Sequence, residues 1–275
     1  MEKIKNIKAI VLDLDGTLLS SNLKILEQTQ KVLQQLIQDG IRVIIATGRT
    51  PQTAIPMTKE LNIKAPMVLA NGALIYDPVQ NKIINSNNIQ KSTVNALLKL
   101  SKNINKSLNI YTLNRIYLEQ DKILAYMNES GDKKENLLNH TYLDLDKEIV
   151  LKCEFFGPND GKNAKLKEIV IDQSNKLNED LYITSAHIDF LEILNKNVNK
   201  FHGIQYVLNF LDIKNDEVLL FGDSHNDVEM LDNFPYSIAM ANGEDCAKKV
   251  AKFSTTSNND NGILNFIEKY TTLIK

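Results

Sequence analysis

Cysteine is scarce in this chain. Cys153 and Cys246 are the only two in 275 residues, far apart and outside any CxxC arrangement, which argues against a disulfide framework and for a reducing compartment. An excess of one charge is missing as well: 32 Lys and Arg against 34 Asp and Glu leave a formal net charge of -2. Without a strong single-sign field, neither nucleic acid nor an anionic membrane is an expected partner. No apolar run approaches the ~18 residues of a membrane span, and the opening "MEKIKNIK" leads into a strand rather than a signal h-region. No internal repeat and no long disordered linker is visible, and no obligate protein partner is evident. The expectation is a soluble cytoplasmic protein with enough apolar residues for one large domain or two modest ones.

What is present is rhythm. Residues 1 to 84 alternate in the β-α-β manner. A strand is expected over 7–13 and an amphipathic helix over 25–39, with Ile25, Leu26, Val32, Leu33, Leu36 and Ile37 near one stripe and Gly40 as a stop. Next come a strand over 41–47, a helix opened by Pro51, and an apolar run "PMVLANG" over 66–72. Near-continuous apolar strands between helices predict a parallel sheet covered on both faces.

The middle of the chain reads differently. Helices are expected over 91–102, 121–130 and 160–177. A hairpin turning at Asn114-Arg115, a strand over 148–157 and a strand pair within 180–194 lie among them. After residue 195 the β-α-β rhythm returns, with strands over 217–223 and 236–240 and helices over 200–211, 226–233, 244–249 and 261–273. The expected fold class is therefore α/β: a Rossmann-like parallel-sheet core from residues 1–84 and 195–275, with helices on both faces. An α+β domain from residues 85–194 is inserted into it.

Open α/β sheets bind ligands beyond the carboxyl ends of their strands. Asp13 and Asp15 follow the first strand, Thr47-Gly48-Arg49 the second, Asn71-Gly72 the third, and Gly222-Asp223 with Asn226-Asp227 the strand at 217–221. Lys200, opening a helix, reaches the same edge. Residues two apart on a strand share a side, so Asp13 and Asp15 crowd together and resist ionising unless a cation or proton relieves them.

This set suits phosphoryl transfer through an aspartyl intermediate. A carboxylate nucleophile must approach an anionic phosphate, so positive charge has to be fixed nearby. Mg2+, a hard ion with oxygen ligands, fits between Asp13 and Asp223. Lys200 adds a second positive charge, and the Thr47 hydroxyl with nearby amides holds the phosphate oxygens. Asp15 is then free for acid/base work on the leaving oxygen and on water.

"DLDGTL" (13–18), "ATGR" (46–49), "NGA" (71–73), "NKFHGI" (199–204) and "GDSHNDVEM" (222–230) together resemble the successive motifs of the haloacid dehalogenase (HAD) superfamily. Their order, and an insert between the second and third motifs, are similar to its Cof-type phosphatases with a cap domain. "IAMANG" (238–243) and "NDNGI" (259–263) extend the resemblance downstream. It implies Asp13 as nucleophile and Asp15 as general acid/base, with Thr47, Gly48, Lys200 and Asn226 at the phosphate. It also implies Asp13, Asp223 and the Asp15 backbone carbonyl on Mg2+, with Asn71 and Asp227 in support. "NVNKFHGI" departs from the usual third motif by placing Phe201-His202 after the lysine.

Several roles stay open on the sequence alone. Arg49 either pairs with an acid or reaches substrate. Asp227 either organises Lys200 or contacts the metal directly. Glu192 is a hinge or core contact or, less simply, a substrate contact. His202 and His225 are bystanders, since the mechanism has no place for them. The implied activity is a Mg2+-dependent phosphatase acting on a small phosphorylated metabolite such as a sugar phosphate. A phosphomutase or phosphotransferase, or a catalytically silent metabolite-binding regulator, are the alternatives.

Overall fold

The computed structural model describes residues 3–119, 122–123, 133–156, 163–177, 180–184 and 190–274. The first segment contributes β1 (Ala9–Leu12), α1 (Glu27–Gln38), β2 (Arg42–Ile45), α2 (Pro51–Thr58), β3 (Met67–Leu69), β4 (Leu74–Asp77) and β5 (Lys82–Ser86). The middle supplies α3 (Lys91–Ile104), β6 (Ser107–Thr112), β7 (Ile116–Leu118), β8 (Leu137–Asn139), β9 (Val150–Phe156), α4 (Asn163–Leu177), β10 (Leu181–Thr184) and β11 (Phe190–Asn195). The remainder forms α5 (Lys200–Leu211), β12 (Val218–Gly222), α6 (Val228–Asn233), β13 (Ser237–Ala239), α7 (Asp245–Val250), β14 (Phe253–Ser254) and α8 (Gly262–Tyr270). The helix expected over 121–130 falls, apart from Lys122 and Ile123, outside the described residues. No described helix is long and apolar enough to cross a membrane.

The core sheet is parallel, in the order β14-β13-β12-β1-β2. Its two faces follow from the two-residue period of a strand. Ile10, Leu12, Val43, Ile45, Leu219 and Phe221 pack with α1, α2 and α8 on one side. Ala9, Val11, Ile44, Val218 and Leu220 pack with α5, α6 and α7 on the other. Burial on both faces explains why these strands read as unbroken apolar runs.

The third strand differs from expectation. Met67–Leu69 meets the core sheet only through one bridge, Ala46 to Val68, and otherwise opens an antiparallel sheet, β3-β4-β5. The cause is local. Ala70, Asn71 and Gly72 all take positive φ (48°, 54° and 98°), which turns the chain back into a hairpin. Its far turn is closed by Asp77, whose Oδ1 accepts from the amides of Val79 and Gln80 at 2.8 and 2.9 Å.

The middle of the chain forms a six-stranded sheet, β10-β11-β9-β6-β7-β8, antiparallel except for the β7–β8 pair. Leu108, Ile110, Cys153, Phe155, Leu191 and Ile193 face α3 and α4 in a second core. The alternate residues Asn109, Tyr111, Lys152, Glu154, Thr184 and Glu192 share the opposite face, and all are buried. That face turns toward the parallel sheet's loops. Leu151, Leu194 and Tyr182 join the main core cluster at its rim, and Gln52 Nε2 donates to the carbonyls of Thr112 and Leu113 at 3.1 and 2.8 Å.

Candidate active site

Asp13 follows β1 directly and is almost fully buried. The chain then folds back on itself, with the Leu18 amide donating to the Asp13 carbonyl at 3.2 Å and Leu19 to Leu14 at 2.8 Å. Gly16 makes this turn possible. Its φ is +79°, and a Cβ there would sit 2.8 Å from the carboxyl carbon of Asp223. Only hydrogen lets the loop after β1 approach the loop after β12 this closely.

Lys200 is the first residue of α5, whose N-cap Asn199 accepts from the His202 amide at 2.7 Å. The helix lies close to the sheet. At Gly203 a Cβ would come 2.5 Å from Val68 Cγ1 and 3.1 Å from the Cα of Gly72. So placed, the Lys200 ammonium is buried and bridges Asp13 Oδ1 at 2.6 Å and Asp227 Oδ1 at 2.7 Å. The other Asp227 oxygen accepts from the amides of Asp223 and Ser224 at 2.9 and 3.1 Å. Asp227 thereby organises both Lys200 and its own loop, and its oxygens are already engaged.

Asp223 completes the cluster. Its Oδ1 accepts from the Thr17 hydroxyl at 2.7 Å, and one oxygen from each of Asp13, Asp223 and Asp227 lies within 4.8 Å of the others. Three carboxylates against one ammonium leave two negative charges in a largely buried space. The titration behaviour follows. Burial, then the charges of Asp227, Asp223 and Asp15, push Asp13 well above the ordinary carboxylate range, against the pull of Lys200. Asp223 is pushed up to about 7 by burial and by Asp227. Burial alone would lower Lys200, but Asp13 and Asp227 outweigh it and raise it. Burial is the largest cause for both aspartates, and their mutual repulsion adds to it.

A divalent ion fits that deficit. Hard carboxylate oxygens at this spacing are the donors Mg2+ takes. Because both Asp227 oxygens already accept, one from Lys200 and the other from two amides, Asp13 and Asp223 are the side chains best able to hold the ion.

The remaining candidates fall around this centre. Asp15 is half-exposed and makes a two-pronged ion pair with Arg49, Nε to Oδ2 and Nη2 to Oδ1, each 2.7 Å. That answers the question about Arg49 in favour of pairing with an acid. Thr47 is buried, and its hydroxyl accepts from the Arg49 amide at 3.1 Å. Gly48 lies against the Asn71 amide; a Cβ on it would be 3.1 Å from Asn71 Oδ1. Asn226 donates to that same Oδ1 at 3.1 Å. His225 is exposed at the rim.

Three residues take roles that the sequence reading did not assign to them. Thr17 lies inside "DLDGTL" but had no assigned partner. Asn242 holds the turn by donating to the Gly16 carbonyl at 2.8 Å. Lys152, a lysine inside the apolar strand "VLKCEFF", carried a legible signal, because a buried cation needs a paired anion.

A family model described as haloacid dehalogenase-like hydrolase matches residues 10–267. The chain belongs to the haloacid dehalogenase-like hydrolases. Among its relatives is the Mycoplasma genitalium protein MG265, whose name carries a provisional phosphatase assignment. It is 31% identical over 285 residues, covering 96% of this chain and 98% of the other. A Bacillus subtilis 5-amino-6-(5-phospho-D-ribitylamino)uracil phosphatase is 26% identical over 269 residues, 96% of each chain. The crystal structure of a haloacid dehalogenase-like hydrolase from Bacteroides thetaiotaomicron superposes with a TM-score of 0.82. It is 23% identical, covering 96% of this chain and 99% of its own, and so bears on fold alone. The expected superfamily fold holds: a parallel-sheet core with an additional sheet domain as cap. By family, this HAD-like hydrolase is an enzyme of the phosphatase type.

Proposed function

We propose that this hydrolase cleaves phosphate monoesters of small polar metabolites with Mg2+ as cofactor, Asp13 being the nucleophile. The observation that carries the reading is the buried group of Asp13, Lys200, Asp227 and Asp223, assembled from opposite ends of the chain around a deficit of positive charge. Mg2+ held by Asp13 and Asp223 would supply charge against the phosphate. Asp13 attacks phosphorus and forms an aspartyl phosphate while the ester P–O bond breaks. Asp15 gives its proton to the departing oxygen. It then takes a proton from the water that attacks phosphorus and frees orthophosphate and Asp13. For this, Asp15 leaves its two-pronged pairing with Arg49, whose Asp15 end is about half open to solvent. Lys200 orients the Asp13 carboxylate, and Thr47, Gly48 and Asn226 surround the phosphate oxygens, with Asn71 behind them.

We take residues 85–194 as the cap that roofs the cleft, which favours a small ester over a protein substrate. The Bacillus relative's named substrate, a phosphorylated ribityl chain on an aminouracil, supports a polyol or sugar phosphate as the substrate class. The test is orthophosphate release from a panel of metabolite esters with Mg2+ and with EDTA. Metal-dependent release from several polyol or sugar phosphates is expected. Transfer of phosphate to a second sugar without release, or no turnover of any ester, would overturn hydrolysis.

A further inference from the structure

Glu192 lies three residues before the end of β11, on the polar face of the cap sheet and 2% exposed. Its Oε1 is paired with Lys152, and its Oε2 accepts from Asn71 Nδ2 at 2.8 Å. Lys152 is held in turn by Glu154 at 3.6 Å and by the ring of Tyr111, whose centroid is 4.4 Å away. The Tyr111 hydroxyl and Asn109 amide donate to Glu154 at 2.8 and 3.2 Å. One continuous hydrogen-bonded path thus runs from the cap, through Asn71, to Asn226 beside Asp227.

We propose that Glu192 is a positioning residue for the reaction site: from the cap it sets the orientation of the Asn71 side chain, and through it the loops carrying Gly48 and Asn226. The inference rests on the phosphatase reading above. A carboxylate only accepts hydrogen bonds, so it compels Asn71 to present its amide nitrogen. Asn71 Oδ1 is then left facing Asn226 Nδ2, at 3.1 Å. Remove the carboxylate and the amide loses its reason to prefer one orientation; turned over, it would set two NH2 groups against each other. Asn71 cannot simply move aside, because its backbone is fixed at φ 54° between two other positive-φ residues. Stability is a poor explanation for Glu192. A buried ion pair is commonly replaceable by apolar side chains without loss, and Leu194 and Tyr182 on the same face already pack into the core.

The test replaces the pair together, Glu192→Leu with Lys152→Met, so that the one carboxylate left buried, Glu154, still accepts from the Tyr111 hydroxyl and the Asn109 amide, and thermal melting checks folding. With p-nitrophenyl phosphate and Mg2+, kcat is expected to fall roughly 10- to 100-fold, the scale of a misplaced reacting group, while KM stays within about threefold. On an Asn71→Ala background the same replacement is expected to change kcat less than about twofold, since it acts through Asn71. Hydrogen exchange at residues 70–73 and 224–227 is read in the same proteins without metal, and faster exchange in the variant is expected. This separates the inference from the activity: an inactive wild type overturns the phosphatase reading, while the exchange result still judges the coupling. A folded variant with wild-type kcat, a loss that persists at full size without Asn71, or unchanged exchange overturns the proposal. If the double variant does not fold, Glu192→Gln takes its place in the same cycle, with a kcat loss of at least about threefold expected.

Discussion

Two buried lysines sit between two carboxylates each in this molecule, and the pairs of neighbours differ in a way that separates chemistry from architecture. Lys200 lies among Asp13 and Asp227 at the ends of parallel strands. Lys152 lies among Glu192 and Glu154 on the face of the cap sheet. Around Lys152 the acids are satisfied by neutral donors, Asn71, Asn109 and Tyr111. Around Lys200 a further acid, Asp223, arrives with one hydroxyl as its side-chain partner. The Lys152 cluster is closed, and the Lys200 cluster is still short of a cation. A lysine buried between acids is therefore not a signature of catalysis by itself; the unbalanced acid beside it is.

The sharpest way to break the comparison is at the acids of the core cluster. Asp13→Asn is expected to lower kcat by roughly 1,000-fold or more while the fold persists; circular dichroism and phosphate release check both, and a tenth of the rate remaining would remove Asp13 as nucleophile. Next come the lysines. Lys152→Met leaves Glu192 and Glu154 buried without their cation, at a cost of about 3–5 kcal/mol. Mg2+ should not restore its melting temperature. Lys200→Met should be destabilised on a similar scale without metal but partly restored by Mg2+, because only this cluster has a place for the ion. Equal responses of the two variants to Mg2+ would erase the distinction.

A third prediction concerns pH. In the metal-free protein the Asp223 carboxyl titrates near 7, above its ordinary 3.8. The folded state thus favours the protonated form, so the Asp223 contribution to stability is full at low pH and is lost as pH rises through about 7. The rise in melting temperature caused by Mg2+ should accordingly be larger at about pH 8.5 than at about pH 5.5. The reverse order would show that Asp223 does not exchange its proton for the ion. The smallest effect is expected at the closed cluster: Tyr111→Phe removes one bond to Glu154 and should cost about 1 kcal/mol by denaturant unfolding, with Mg2+ dependence unchanged.

This contrast was only half legible beforehand. Asp13, Lys200, Asp223 and Asp227 stand at strand ends and at a helix start, places that periodicity and motif order locate. Thr17 shows the limit, since a hydroxyl two residues beyond Asp15 has no visible partner until the two loops meet. The cap's polar face is harder still. "NIYT", "LKCEF" and "FLEIL" each alternate, so each reads as a strand with one polar side. Which polar side chains meet depends on register between strands far apart in the chain, and a one-residue slip would exchange every partner. The β3–β4 hairpin stayed hidden for another reason: three consecutive positive-φ residues begin with Ala70, whose side chain gives no sign of such a backbone.

Gly203 has a consequence for anyone wishing to adjust this enzyme from a distance. The ammonium that steadies Asp13 owes its depth to a helix seated against Val68 and Gly72 one turn further along. A single added methyl group there would lift the whole rod, and the charge at its tip would rise with it, leaving every acid in the cleft untouched in identity yet differently addressed.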